Sequence, residues 1–175
     1  MEKISLLKYK DLYFDKKKCI PGEHHFVAVY LLPKFNKIPD FLNPDGTKGK
    51  CGDIVFEKDT QHYFSIEVKI GKTSFTFSKN ETNQWFVYKD KPFPNYLIAL
   101  TSNYLFIIEW KEFSNSFTQK LGANRITKPH GNSKSISERE LLDKCPNCAY
   151  KIDDQSEIEL ENFFKKLNEE IESVY

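Results

Sequence analysis

Apolar and polar positions alternate in the middle of the chain, in the stretch SIEVKI at residues 65–70. Successive side chains of a β-strand point to opposite faces. One face of the predicted strand is apolar and carries Phe64, Ile66, Val68 and Ile70. The other face carries Ser65, Glu67 and Lys69. Taken alone, this pattern predicts an amphipathic strand whose polar face meets water, where an exposed Glu–Lys pair contributes about a few tenths of a kcal/mol.

A second strand is predicted just before it, in the stretch CGDIVFEKD, which contains Gly52-Asp53 near its start. The turn-forming residues EKDTQ, at positions 57–61, make a hairpin connection between the two strands. Antiparallel pairing around that turn brings Asp53 and Glu67 to the same end of the ladder, because the two residues lie about equally far from the turn. Two carboxylates and Lys69 would then converge.

Two carboxylates on rigid strands are what a hard cation needs from a protein. Mg²⁺ takes oxygen ligands, and water and phosphate can fill its remaining positions. A lysine beside the ion can hold or polarise an attacking water and neutralise charge that develops on a phosphate. The pattern therefore favours hydrolysis of a phosphodiester with the help of a divalent metal ion.

The arrangement Gly52-Asp53, then a gap, then Glu67-Val68-Lys69 resembles the active-site signature of the PD-(D/E)XK nuclease superfamily. That superfamily includes many restriction endonucleases and the archaeal-type Holliday junction resolvases. The resemblance implies that Asp53 and Glu67 bind Mg²⁺, or Mn²⁺ in its place, and that the carbonyl of Val68 adds a ligand. It also implies that Lys69 positions the attacking water.

The chain differs from the family pattern at one position. The family is named after a Pro-Asp pair, whereas Asp53 follows a glycine. A Pro39-Asp40 pair exists, but it lies too far from Glu67 in the sequence to replace Asp53. Because Gly-Asp is a familiar variant of the signature, Asp53 remains the candidate ligand.

The resemblance also implies an α/β fold with a restriction endonuclease-like core, in which a central mixed β-sheet is flanked by helices in the order α-β-β-β-α-β. The stretch IPGEHHFVAVYLLP fits the first helix, with Pro21 in its first turn and Pro33 ending it. Glu23 falls in the first turn. In the family an acidic residue on this helix assists the reaction, through water or a second ion.

The stretch SKNETNQWFVYK fits the second core helix. Ser78 and Glu81 form a predicted capping box, and Trp85 with Tyr88 would form a buried stripe. The resemblance places Gln84 on the side that faces the site. The stretches NYLIAL and YLFIIEW, joined by a turn, fit the strands expected after that helix.

Charge is segregated along the chain although the net charge is only +1. Residues 1–135 carry 21 Lys and Arg against 14 Asp and Glu, which is +7, and residues 136–175 carry 5 against 11, which is −6. A basic half suits a polyphosphate such as DNA. Such an imbalance can also serve solubility alone.

Residues 114–135 contain no acidic side chain, and their Gly and Asn content predicts a mobile loop. The candidate contacts to DNA phosphates in this loop are Lys120, Arg125, Lys128 and Lys134. A solvated linker is the alternative. We therefore divide the chain into a nuclease-like core at 1–113, a basic mobile loop at 114–135 and a C-terminal helical segment at 136–175.

Cys145 and Cys148 in the stretch CPNCAY have the spacing of one half of a structural zinc site. A closed Zn²⁺ site needs four ligands, which Cys19, Cys51, His130 or a second subunit could complete. The alternative is a plain turn between two helices, with a proline ending the first.

The C-terminal stretch predicts an amphipathic helix whose apolar stripe is Leu160, Phe164, Leu167, Ile171 and Val174. The stripe would pack on its own domain as a C-terminal helical appendage, or pair with a second copy to make a homodimer. The sequence contains no apolar run long enough for a membrane span and no signal peptide, which predicts a cytoplasmic protein that does not bind membranes.

Two functions follow from these patterns. The first is a Mg²⁺-dependent endodeoxyribonuclease, of restriction type or specific for a DNA structure. The second is a non-catalytic subunit that binds nucleic acid or supports assembly, keeps the nuclease-like fold, and uses its acidic residues structurally.

Overall fold

The structure is a computed structural model that describes residues 2–14, 20–42, 52–87, 92–122 and 133–175. Three helices in these ranges are short and continue directly into a π-helical segment. They are α1 (Leu6–Tyr9, then Lys10–Phe14), α2 (Glu23–Phe26, then Val27–Leu31) and α3 (Lys79–Thr82, then Asn83–Val87). Three more helices are α4 (Trp110–Leu121), α5 (Glu138–Lys144) and α6 (Glu157–Glu172).

The strands of the described ranges form one large and one small sheet. They are β1 (Phe41–Leu42), β2 (Ile54–Glu57), β3 (Tyr63–Ile70), β4 (Ser74–Phe77), β5 (Tyr96–Leu100), β6 (Tyr104–Glu109), β7 (Lys134–Ser137) and β8 (Ala149–Lys151). The large sheet has the order β1-β2-β3-β5-β6-β8, and β4 pairs with β7. Strand β3 is antiparallel to β2 and parallel to β5, so the large sheet is mixed.

Helices cover both faces of the large sheet. Apolar side chains of α1, α2 and α6 pack on one face, together with Ile66 and Val68 of β3. On the other face, side chains of α3, α4 and α5 and of the small sheet pack against Leu97 and Ala99 of β5. The predicted α/β class, with a central mixed sheet flanked by helices, is confirmed.

The predicted hairpin is present, but the short strand β1 lies between α2 and the hairpin and is not part of the predicted order α-β-β-β-α-β. Strands β2 and β3 pair antiparallel with Ile54 opposite Ile66. The capping box at the start of α3 is formed, because the Glu81 N–H donates to Ser78 Oγ and the Ser78 N–H donates to Glu81 Oε1. Trp85 of the predicted stripe is buried, and Tyr88 lies outside the described residues.

The predicted boundary at residue 113 is wrong, because α4 runs across it. Trp110, Phe113, Phe117 and Leu121 follow helical spacing and are buried in the second face's core. This apolar stripe outweighs the absence of acidic residues that predicted a loop. Residues 123–132 lie outside the description, and Lys134 begins strand β7.

The C-terminal segment is part of the main domain and not an appendage. Strand β8 pairs with β6 at the edge of the large sheet. The apolar stripe of α6 is buried in the core of the first face, through Leu160, Phe164, Leu167 and Ile171. Because this stripe packs within the chain, it does not supply a surface for the predicted homodimer.

A smaller difference concerns the start of α2. Gly22 is the N-cap residue and adopts an extended backbone, so Pro21 precedes the helix and does not lie in its first turn. Glu23 is the first helical residue, as predicted.

Candidate active site

The polar face of β3 is buried. Glu67 is 4% exposed and Lys69 is 6% exposed, because α3 and the small sheet cover this face. The Lys69 ammonium lies 4.8 Å from the centre of the Phe77 ring on β4. The expectation of a water-exposed face is therefore wrong, and the two charged side chains must find their partners inside the protein.

Asp53 lies beside Glu67, as the hairpin predicts. Its N–H donates to the carbonyl of Ile66 at 2.8 Å, and its Oδ2 accepts from the N–H of Val68 at 2.7 Å. The N–H and carbonyl of one strand residue point to the same side. The Val68 carbonyl therefore faces the strand edge at which Asp53 sits.

Gly52 precedes Asp53 in a backbone conformation that favours glycine. Its φ is +75°, a value that proline cannot adopt. An added Cβ would lie 2.7 Å from the carbonyl oxygen of Ile66. Asp40, from the alternative Pro-Asp pair, bonds instead to the Glu57 N–H and the Tyr175 hydroxyl.

Glu81 is a site residue that the sequence analysis assigned only to a cap. Lys69 Nζ lies 2.8 Å from Glu81 Oε2 and 3.4 Å from Glu67 Oε1. Glu81 thus caps α3 with one oxygen and holds Lys69 with both. The available signal was its position at the start of the helix that directly follows the Glu-x-Lys strand and β4.

Glu23 approaches the same group from the other face of the sheet. It lines a cavity of about 210 Å³ together with Asp53, His24 and Leu42. Burial raises the pKa of the Glu23 carboxyl, and the charges of Lys69 and Glu81 act on it with opposite signs. The structure therefore gathers Glu23, Asp53 and Lys69 with two further carboxyls, those of Glu67 and Glu81.

The carboxyls of this cluster differ in how readily they ionise. Burial raises the pKa of Asp53 to about 7, against the hydrogen bond from the Val68 N–H, which lowers it. Burial and the nearby Asp53 carboxyl raise the pKa of Glu67 well above its usual range. Burial also opposes ionisation of Glu81, but the charge of Lys69 and the hydrogen bonds from Glu67, Lys69 and the Ser78 N–H together hold the pKa of Glu81 below its ordinary value.

Lys69 is a stable cation at neutral pH. Burial alone would lower the pKa of its ammonium, but the carboxylates of Glu67 and Glu81 outweigh burial and raise it above its ordinary value. Four carboxyls thus lie around Lys69, and burial disfavours the charged forms of Asp53 and Glu67.

The other predicted site residues lie away from this cluster or outside the described ranges. Gln84 is half-buried in the segment after α3, one helical turn beyond Glu81, and its role in the site stays a prediction. Lys120 forms an ion pair with Glu140. Lys134 is half-buried on β7, and Arg125 and Lys128 are not described.

The Cys-x-x-Cys knuckle joins a helix to a strand, not two helices. Cys145 ends α5, the short 3₁₀ helix Pro146–Cys148 follows, and β8 comes next. Cys148 Sγ lies 3.4 Å from Glu112 Oε2, and burial together with this carboxylate raises the pKa of Cys148 to about 12. Zinc binds thiolates, which this environment disfavours.

The remaining zinc candidates, Cys19, Cys51 and His130, lie outside the described residues. Among the residues that are described, no three or more His, Cys, Asp and Glu side chains are arranged as a metal site. None of the helices in the described ranges is long and apolar enough to span a membrane. No protein-family model, curated protein or solved structure matches the chain.

Proposed function

We propose that this protein is a divalent-metal-dependent endonuclease that hydrolyses phosphodiester bonds of DNA. One observation carries the proposal: the half-buried Asp53 and the buried Glu67 lie side by side in a cluster with more carboxyls than cations. Carboxyls that serve only structure are usually matched by equal positive charge. A deficit of positive charge next to a cavity favours a cation as the missing partner.

The donor set suits a hard cation. Asp53 and Glu67 supply carboxylate oxygens, and the Val68 carbonyl faces the same edge. Mg²⁺ commonly takes only one or two protein carboxylates and fills its other positions with water and phosphate, so fewer than three acidic ligands suffice. When bound, the ion would supply Lewis-acid polarisation of a phosphate and a lowered pKa for its water.

Each protein group has a defined role in this proposal. Lys69 stays protonated, so it acts as a hydrogen-bond donor that orients water and offsets charge on the phosphate, and not as a base. Glu81 fixes the Lys69 ammonium in position from α3. Glu23 borders the cavity beside Asp53 and can contact water there.

The order of elements supports a restriction endonuclease-like core. Helix α2, strands β1 to β4, helix α3 and strand β5 follow one another, which is the expected order α-β-β-β-α-β with the short strand β1 added after the first helix. A second departure is that β4 leaves the large sheet and pairs with β7. The proposal therefore rests on the acidic cluster first and on the fold second.

Binding of DNA phosphates is assigned to basic side chains of the first 135 residues, where cations exceed acids by 7. The candidates are Lys134 and, outside the described residues, Arg125 and Lys128. Lys120 is a weaker candidate, because its ammonium already pairs with Glu140.

A non-catalytic nucleic-acid-binding subunit is the second candidate. The observation in its favour is the contact of Lys69 with Glu81 at 2.8 Å and with Glu67 at 3.4 Å, which satisfies the ammonium without any ligand. In that case the cluster would stabilise the end of the β2–β3 ladder, and no metal would be required.

The two candidates differ in a nicking assay on supercoiled plasmid, with branched DNA and RNA as further substrates. We expect cleavage with Mg²⁺ or Mn²⁺, none with a chelator, and loss of cleavage in Asp53→Asn and Glu67→Gln. The exposed Asp143→Asn is the matched control and should cut like the wild type. If both site variants cut at the wild-type rate, or no nucleic acid is cut, the enzyme proposal fails.

A further inference from the structure

A second, larger cavity lies at the opposite end of β3 from the acidic cluster. Its volume is about 740 Å³, which is within the range of small-molecule sites. Tyr63, the first residue of β3, lines it, whereas Lys69 lies six residues further along the strand, or about 20 Å. No described residue lines both this cavity and the one beside Asp53.

Aromatic rings and polar side chains line this cavity together. The rings that line it are Tyr63, Phe64, Trp85, Phe93, Tyr96 and Trp110. Trp85 and Trp110 meet edge to face, with ring centres 5.1 Å apart. Both tryptophans are almost fully buried, and Phe93 and Tyr63 are the more exposed rings. Flat π-faces attract ammonium and guanidinium groups through their quadrupole.

The wall is held in place by backbone contacts around Asn95. The Asn95 N–H donates to the carbonyl of Ser65, and Asn95 Oδ1 accepts from the Ser65 N–H. The Trp110 N–H donates to the Asn95 carbonyl. Two strands and the start of α4 are thereby tied together, so the aromatic wall is formed before any ligand arrives.

Two carboxylates meet at the hydroxyl of Tyr96 in this cavity. The Tyr96 hydroxyl donates to Glu170 Oε1 at 3.3 Å. Burial, followed by the charges of Glu170 and Glu109, raises the pKa of Tyr96. Within the described ranges neither Glu109 nor Glu170 has a Lys, Arg or His partner within 4.0 Å.

The charge balance of the described lining is negative. Lys111 is its one basic side chain, and it is exposed at the rim, against Glu109 and Glu170. A nucleotide or other phosphate would meet two carboxylates here. An organic cation would instead gain charge-assisted hydrogen bonds from the carboxylates and cation–π contact from the rings.

We propose that this cavity binds an organic cation, an alkylammonium or guanidinium group, between its aromatic rings and the Glu109–Glu170 pair. The group can belong to a free polyamine or to an arginine or lysine side chain of a peptide, and the test separates these sources. This site is independent of the nuclease proposal, because it shares no residue with the acidic cluster.

The two tryptophans of the chain both line this cavity, so intrinsic fluorescence reports on it directly. The full chain is titrated with spermidine and with N-acetylarginine amide. N-acetylcitrulline amide, a neutral analogue of the same shape, and AMP, an anion with a flat ring, are the comparison ligands. The indole N–H signals in an NMR spectrum provide a second readout of the same titrations.

We expect saturable binding of at least one cation, with the preferred one identifying the source, and none of citrulline or AMP. Glu109→Gln and Glu170→Gln should each weaken binding about tenfold, because each loses one charge-assisted contact. Lys111→Gln should tighten binding by removing a competing cation. Glu169→Gln, an exposed neighbour on α6 that does not line the cavity, should bind like the wild type.

The Glu170→Gln variant should fold, because its side-chain amide oxygen can still accept the hydrogen bond from the Tyr96 hydroxyl, and a circular dichroism melt checks this. The proposal is overturned if neither cation shifts the fluorescence or the indole signals at millimolar concentration. It is also overturned if citrulline or AMP binds as well as the cations, or if both glutamine variants keep wild-type affinity.

Discussion

Replacing Asp53 by asparagine should stabilise the metal-free protein at alkaline pH. The asparagine carbonyl can still accept the hydrogen bond from the Val68 N–H, which Asp53 Oδ2 accepts at 2.7 Å. The negative charge, in contrast, is removed from a place where burial and the Glu23 carboxyl oppose it. The substitution thus keeps the shape and the contact and removes the unfavourable charge.

The magnitude follows from the pKa of Asp53, which burial raises from 3.8 to about 7. The folded protein binds this proton more tightly than the unfolded chain, so stability is lost as the pH rises from about 4 to about 7. About three pKa units at roughly 1.4 kcal/mol each set a ceiling of about 4 kcal/mol. Asp53 keeps part of its surface in solvent, so we expect Asp53→Asn to raise the free energy of unfolding by about 2 kcal/mol at pH 8.

Urea denaturation in the presence of a chelator measures this effect. The stability advantage of Asp53→Asn should be greatest near pH 8 and fall to roughly a third of that value near pH 5, because the wild-type carboxyl then holds its proton when folded. Asp143→Asn, at an exposed position, should show no advantage at either pH. Added Mg²⁺ should stabilise the wild type at pH 8 by mass action and leave Asp53→Asn unchanged.

Two results would refute this reasoning. An Asp53→Asn protein that is less stable than the wild type at pH 8 would show that the carboxylate is a stabilising structural group. A stability difference that does not change between pH 5 and pH 8 would show that the Asp53 carboxyl titrates normally in the folded state.

Three further predictions concern the surroundings of the cluster. Gly52→Ala should lower the free energy of unfolding by about 2–4 kcal/mol, because a residue with φ of +75° acquires a Cβ 2.7 Å from a carbonyl oxygen. Gly22→Ala, with open space around its Cβ, should lower it by less than about 1 kcal/mol in the same denaturation assay. Glu81→Gln should lower the free energy of unfolding by about 1–3 kcal/mol, because it removes the negative charge nearest to the buried Lys69 ammonium. Glu140→Gln, the equivalent capping residue with a half-buried Lys120 partner, should lower it by less than about 1 kcal/mol, and equal losses would contradict the importance of burial. Neutralising Lys120, Arg125, Lys128 and Lys134 together should weaken DNA binding and flatten its salt dependence, and an unchanged slope in binding titrations would remove these residues from the interface.

Local patterns predicted the part of the site that lies on one hairpin. The distance of Asp53 and Glu67 from a common turn determines their register, so antiparallel pairing alone brings them together. The helix that Glu23 begins was also predicted from local spacing, whereas the choice of Glu23 as a site residue came from the family resemblance. These features depend on residues close in sequence or on a period of two or 3.6, which a sequence displays directly.

The features that the sequence did not predict depend on which helix and strand surfaces pack together. Periodicity marks the polar face of β3 but does not state that α3 and β4 cover it, so the burial of Lys69 was not predictable. Glu81 had a complete local explanation as a cap, which concealed its contact with Lys69. The length of α4 was also missed. Polar residues between Phe113 and Leu121 were interpreted as a loop, although Trp110, Phe113, Phe117 and Leu121 form an apolar stripe.

Asp53 and Glu67 are acids at positions where amides would be less costly to bury. Amides in place of Asp53 and Glu67 could make the same kind of hydrogen bonds to backbone and neighbours without the cost of burying acids. The carboxyls instead sit where burial raises the pKa of Asp53 to about 7 and that of Glu67 well above its usual range. A group poised near neutrality can release its proton when a cation arrives and take it back when the cation leaves. The same arrangement that weakens the empty protein would therefore strengthen metal binding as the pH rises through 7, a dependence that amides could not provide.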